Sequence, residues 1–410
     1  MNFDIMKWFL KKESNRRIHL DFAATTPVHP EVLKKMLPYF SEDWANPSAF
    51  YKEGVKARQV IEGARTKLAR TLRVRASDII FTSGGTESNN LALVGTVEAL
   101  FEAGRPYVEM EIISTRVEHP SILKTLIYLE GRGVAVHYAP IDSEGRIIIS
   151  EFEKLLSTKT TLVTFAYANS EIGVVQDVKK ITRKVRAWNE LHEVKIVTHL
   201  DASQAPLWLS CEIDMLGVDL MTLDSGKCYG PKGVGVLAKR HGVTLSPVLH
   251  GGEQEQGLRA GTENTALIVG CVEAIVRAQE NHEARSEAVA TLREYFFELL
   301  IQEISEVIIN GSRESRIANN VNISLPNFDT EYAVVWLDAK GIAASTKSAC
   351  GTGGEAGSLV VREMTHDESR ALSTLRFTLG EETTKADIEQ TVEILKEFKK
   401  LMQGEDVTTL

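Results

Sequence analysis

The chain has 410 residues, 43% of them hydrophobic and 25% charged, with 47 Lys plus Arg against 56 Asp plus Glu and a formal charge of −9. That length exceeds what one ordinary core supports and predicts a large domain with a smaller one. The acidic balance, without any basic block, argues against a nucleic-acid surface, and no run approaches the apolar length of a membrane span.

The N-terminal stretch MNFDIMKWFLKKESNRR places its acid before its apolar centre and its bases after it. That order is the reverse of a secretory signal, so a cytoplasmic location is expected. Residues 1–17 read as an amphipathic extension, with Trp8 and Phe9 packing on the body. Between 55 and 270 short apolar runs alternate with helical patterns: DIIFT before ESNNLALVGTVEALFEAG, VEMEIIS before HPSILKTLIYLEG, VAVHYA, TTLVTFAY before VKKITRKVRAWNEL, then KIVTHLD, DLMTL and GVGVLA. Alternation of this kind predicts a largely parallel sheet covered by helices. After a long helix predicted over about 264–286, the runs SEVIING, VNISL, AASTK and STLRFTL mix with helices at about 289–304, 330–338 and 386–402. The expected division is an extension over 1–17, a segment over 18–34 joining the small domain, a large domain over 35–274 and a small α+β domain over 275–410. Cys211, Cys228, Cys271 and Cys350 are far apart in the chain, so neither a zinc site nor a disulfide framework is expected.

Ligands of open α/β sheets sit at the carboxyl ends of the strands, and three polar stretches fall there. FTSGGTESNN runs from strand through a glycine pair into a helix start at Gly85 and Thr86. It reads either as an anion cradle of free N–H groups or as a plain turn with a helix cap. KIVTHLDASQAP ends a strand with Asp201 and Gln204, which alone is equally an exposed loop acid. LDSGKCYGPKG sets Lys227 at another strand end, before a GPKG turn.

Taken together, these stretches resemble the pyridoxal-phosphate enzymes of the aspartate aminotransferase fold (fold type I), their class V group, and within it the NifS/IscS-like cysteine desulfurases. The resemblance runs from about 18 to 385 on LDFAATTPV, NPSAF, FTSGGTESNNLA, VEHPSI, YANSEIGVVQD, HLDASQ, GKCYGPKGVG, HGGEQEQGLRAGTENT, KSACGTG and LRFTLG, in the family's order. It implies a mainly parallel seven-stranded sheet with a smaller α+β domain, pyridoxal 5'-phosphate as cofactor, and conversion of L-cysteine to L-alanine with the sulfur carried as a persulfide. Lys227 matches the lysine that holds the cofactor and moves the Cα proton, and Asp201 the acid that pairs with the pyridine nitrogen. Gln204 matches the residue bonded to the phenolic oxygen, and His119 the histidine over the ring face. Gly85, Thr86 and Ser225 would serve the phosphate, joined by Thr262 from the other subunit of a homodimer. Arg376 matches the fork that grips the substrate carboxylate, with Asn46 and Asn169 assisting. Cys350 matches the nucleophile, in a glycine-rich loop over about 346–358 that would carry sulfur to an acceptor protein, such as an iron–sulfur scaffold or a tRNA-thiolation enzyme. No metal site is implied.

Departures stand beside the matches. The family usually reads Ser-Gly-His-Lys where this chain has Asp224, Ser225, Gly226 and Lys227. Asp224 would bring negative charge toward a phosphate unless it turns away or Ser225 takes over. Ser170, Phe22 and Lys347 also replace usual residues; Lys347 would either favour a nearby thiolate or point to solvent. Two alternatives follow: a selenocysteine lyase or other class V C–S lyase, and a catalytically degenerate binding or scaffold protein.

Overall fold

The computed structural model describes residues 16–326, 328, 330–346 and 357–402. Trp8, Phe9, Lys347 and Cys350 therefore lie outside the described residues.

Seven strands form the main sheet: β1 (Ile79–Thr82), β2 (Glu111–Ser114), β3 (Ala135–Tyr138), β4 (Thr160–Ala166), β5 (Val197–Asp201), β6 (Leu220–Asp224) and β7 (Gly235–Lys239). Their order is β1-β7-β6-β5-β4-β2-β3, with β7 alone antiparallel to its neighbours. All seven coincide with the apolar runs read from the sequence. Most of their side chains are buried on both faces, which is why the runs are continuous rather than alternating.

The covering helices follow from their patterns. α1 (Lys52–Leu72) precedes the sheet; α2 (Gly85–Glu102) is apolar nearly all round and buries Leu91, Ala92, Leu93, Val94 and Val97. α3 (Pro120–Gly131) starts at His119, with Pro120 at its first position, where a missing N–H costs nothing. α4 (Val178–His192) buries Val178, Ile181, Thr182 and Val185, an i, i+3, i+4, i+7 stripe. The helices expected over 264–286 and 289–304 are α5 (Thr265–Glu280) and α6 (His282–Glu303), with the break earlier than expected, at Asn281 with φ −129 and ψ 20. Asn281 cannot continue the helical ladder from that conformation, so the chain changes direction there.

A three-stranded antiparallel sheet follows, from β8 (Ile308–Ile309), β9 (Asn320–Ser324) and β10 (Thr374–Thr378) in the order β10-β9-β8. Residues 18–19 pair with 342–343, and Asp21 bridges Thr378. This early segment thus lies against the late one. The last helix, α7, spans Lys385–Met402. Among the described residues, no helix is long and apolar enough to cross a membrane.

Candidate functional site

Parallel register sets Ala166 opposite Asp201 and Asp201 opposite Thr222, so the ends of β4, β5 and β6 lie side by side. A cavity of about 160 Å³ opens at these ends, lined by residues from 23 to 376 that include Lys227, Asp201, His119, Gln204, Thr86 and Arg376. Asp201 is therefore no loosely held loop acid: it is buried, and Asn89 Nδ2 at 2.8 Å, Ser203 N–H at 3.0 Å and Ser203 Oγ at 2.6 Å all donate to it. Three donors fix the carboxylate at one wall.

His119 lines the same cavity. Its Nδ1 accepts from the Ser121 N–H at 3.1 Å and lies 2.8 Å from Ser121 Oγ, while Asn89 Nδ2 donates to that Oγ at 2.8 Å. Because Nδ1 accepts a backbone N–H, the ring proton belongs on Nε2. Burial pulls the imidazole pKa down, against the raising effect of Asp201, so the ring is held neutral.

Lys227 follows β6 on a single 3-10 turn, and its Nζ donates to the carbonyls of Ala23 and Ala24. Gln204 Nε2 donates to the same Ala23 carbonyl at 3.0 Å. The Ala23–Thr26 segment is held in turn by Gly226, whose carbonyl accepts the Thr26 N–H at 2.9 Å. Arg376, on β10, is almost wholly buried: Nη2 meets Asp21 Oδ1 at 2.7 Å, Nη1 donates to the Ser170 carbonyl at 3.0 Å, and Nε has no partner among the described residues.

At the pocket the chain turns into α2 through Gly84, at φ 151 and ψ −179, a conformation for which glycine is suited. A Cβ on Gly85 would stand 3.0 Å from Ser203 Oγ and 3.2 Å from Asp224 Oδ2, so the helix start presents bare backbone to the pocket. Asp224 has not turned away. It caps this start, Oδ2 accepting from the Gly85 N–H at 3.1 Å and Oδ1 from the Gly226 N–H at 2.8 Å.

Other expected site residues lie elsewhere. Ser225 is fully buried, its hydroxyl close to Gly230 and Cys271 and outside the pocket lining, because the 3-10 turn directs it into the core. It does not take over from Asp224. Asn46 is exposed and spends its Oδ1 on the Ser48 N–H at 2.9 Å. Asn169 lines the cavity but is already bonded to Glu171 N–H, Ile172 N–H and the Val117 carbonyl, so it shapes the loop. Thr262 borders a separate cavity of about 250 Å³ with Arg259 and Thr82. Phe22 is buried against Tyr229 and His19. Cys211, Cys228 and Cys271 are buried thiols whose pKa values burial raises, in keeping with structural roles.

Sequence reasoning missed Asn89, Ser121 and Asp21. Asn89 stood inside a quoted stretch, three residues after Thr86 and hence on its helix face; that spacing was the available signal.

The pocket suits the pyridoxal phosphate implied by the resemblance. An acid, an amine and a neutral imidazole surround a space for a small ring, a cradle a Cβ would narrow adjoins it, and two buried pocket atoms, Asn89 Oδ1 and Arg376 Nε, lack partners among the described residues. Among the described residues, Asp224 on that cradle stands at odds with a phosphate.

The family described as aminotransferase class V matches residues 18–391. A cysteine desulfurase IscS of Dictyoglomus turgidum is 38% identical over 381 residues, 93% of this chain and 94% of that protein. A solved NifS-like protein superposes with a TM-score of 0.86 at 32% identity, covering 94% of this chain and 100% of the other. SspA, solved in complex with cysteine, superposes with a TM-score of 0.75 at 33% identity, covering 89% and 99%.

Proposed function

Because this chain belongs to the class V aminotransferase family and, within it, to the pyridoxal-phosphate-dependent NifS/IscS-like cysteine desulfurases, we propose that its pocket binds L-cysteine and that Cys350 receives the sulfur. The observation that carries the reading is the convergence of Lys227, Asp201, His119 and Arg376 on one small cavity from four separate chain segments.

When bound, pyridoxal phosphate supplies an electron-withdrawing ring that stabilises negative charge at the substrate Cα. Lys227 would anchor the cofactor and take the Cα proton on Nζ. Asp201, fixed by Asn89 and Ser203, would pair with the ring nitrogen and favour its protonated form. His119, neutral and carrying its proton on Nε2, would cover the ring and exclude water. Gln204, beside Ala23, would serve the phenolic oxygen. Thr86 and the N–H groups of the α2 start would hold the phosphate. Arg376 takes the substrate carboxylate, with Nε as the donor still open among its described contacts.

In the sulfur step the Cys350 thiolate attacks the substrate sulfur. The Cβ–S bond breaks, an S–S bond forms, and the carbon fragment gains protons to leave as alanine. Cysteine and an enzyme thiol thus become alanine and an enzyme persulfide, with no outside oxidant. Reduction or an acceptor protein then discharges the persulfide.

The same reading makes the enzyme a cytoplasmic homodimer in which Thr262 serves the partner's phosphate site. Its support is the exposed apolar group Leu37, Phe40, Trp44, Phe50 and Tyr51, with Trp44 72% and Phe50 93% exposed. It also assigns residues 35–274 to the cofactor domain, and 275–410 with 18–34 to the smaller domain.

Incubation with L-cysteine should release alanine and add one sulfur atom to the Cys350 peptide by mass spectrometry. The Cys350→Ala protein should still bind cofactor and cysteine while losing nearly all desulfuration. Alanine formed with sulfur placed on another residue would overturn the assignment.

A further inference from the structure

The proposed reading seats a phosphate at the start of α2, and the chain already places an anion there. Asp224 takes the Gly85 N–H with one carboxylate oxygen and the Gly226 N–H with the other. It lies between the two backbone segments that flank the pocket, and both Asp224 and Gly85 line it. The contact is close: a Cβ on Gly85 would come 3.2 Å from Oδ2 and 3.4 Å from the Asp224 Cβ. The carboxylate thus rests directly on the first turn of an 18-residue helix.

A helix N-terminus offers free N–H groups and a partial positive charge, and one anion there lowers what it offers a second. A phosphate using the Gly85 N–H must displace the carboxylate from it. If Asp224 stays nearby, two like charges share one helix end. Ser225 provides no substitute contact, since its hydroxyl lies in the core.

We propose that Asp224 competes internally with the cofactor's phosphate: it caps the cradle in the cofactor-free protein, and loading requires its side chain to leave Gly85. This rests on the reading of the pocket as the pyridoxal-phosphate site and assigns a specific cost to one residue of this chain. The ring end, with Lys227, Asp201 and Gln204, is unaffected. The phosphate therefore adds less to cofactor affinity than it would beside a neutral side chain. The same carboxylate stabilises the cofactor-free turn.

The test compares pyridoxal 5'-phosphate with pyridoxal, which lacks the phosphate. Wild type, Asp224→Ser and Asp224→Asn are stripped of cofactor and titrated with each compound, following the absorbance of the lysine-bound ring. Asp224→Ser should tighten pyridoxal-phosphate binding by about tenfold and leave pyridoxal binding unchanged. Asp224→Asn, which preserves size and removes charge, should gain part of that increase. Asp224→Ser should also lower the Tm of cofactor-free protein and raise that of loaded protein, opposite signs that a purely structural cap would not produce. Equal gains for both compounds, or no gain for pyridoxal phosphate in either variant, would overturn the proposal. Binding at Lys227 with the same affinities in all three proteins removes the Asp224 inference alone, whereas a wild type that takes up neither compound at Lys227 removes the cofactor reading as well.

Discussion

Asn89 donates its side-chain amide to Asp201 Oδ2 at 2.8 Å, and the same nitrogen reaches Ser121 Oγ, the hydroxyl bonded to His119 Nδ1. One buried residue of α2 therefore fixes the acid at the pocket wall and reaches the imidazole through the Ser121 hydroxyl. Asn89→Ala should cut kcat by about tenfold or more, since the loss of a positioned hydrogen bond to a charged group is worth about 1.5–3 kcal/mol. Spectral titration of the bound cofactor separates positioning from folding. The ring-nitrogen protonation should shift in Asn89→Ala and be largely restored in Asn89→Gln if that side chain reaches Asp201. An unchanged spectrum with lower stability would leave Asn89 a purely structural role.

Lys227 is held by two carbonyls of the Ala23–Ala24 segment, so its amine is delivered to the pocket by backbone from the opposite end of the chain. Borohydride reduction of loaded enzyme followed by peptide mapping should leave the pyridoxyl mass on the GKCYGPKG peptide. Lys227→Ala should abolish turnover and keep the native circular dichroism. A label on another lysine would contradict the assignment.

Arg376 and Asp21 form a pair that joins β10 to the early segment, with the guanidinium almost wholly buried. Arg376→Lys should raise KM for cysteine by about tenfold or more, because an ammonium cannot reproduce the fork, while cofactor affinity stays unchanged. Asp21→Asn should lower stability by about 3 kcal/mol, the usual order for leaving one member of a buried pair uncompensated. Steady-state kinetics and urea unfolding distinguish the two effects.

Glu118 immediately precedes His119, and burial pushes its carboxyl pKa up to about 8, with the Thr115 hydroxyl opposing and Asp201 adding to the rise. A raised folded-state value contributes stability that is fully present below the ordinary value of 4.5 and is lost as pH climbs through about 8. Glu118→Gln, which cannot ionise, should nearly match the wild type at about pH 4 and exceed it by on the order of 5 kcal/mol at about pH 9. Urea midpoints at the two pH values measure this. His199 works in the other direction: burial between the hydroxyls of Thr164 and Thr222 lowers it to about 4, so its contribution falls away as pH drops from 6.5 toward that value.

The seven main strands and the helices between them were legible in the sequence, because a sheet buried on both faces writes continuous apolar runs and its surface helices write a 3.6-residue stripe. Position at a strand end also marked Asp201, Gln204 and Lys227, since the parallel fold leaves polar residues there for ligands alone. Two successive helices were legible there, but not the position of their break at Asn281, as α5 and α6 both carry helix-forming residues through the junction. Nor was the allocation of hydrogen bonds. Whether Ser225 turned into the core, whether Asn169 had capacity to spare, and whether Asp224 stood clear of α2 each depended on which partner lay within about 3 Å across the fold. Local sequence sets which residues can donate and accept; only tertiary packing decides which donors meet which acceptors, because the competing partners come from segments up to hundreds of residues apart, as Arg376 and Asp21 do.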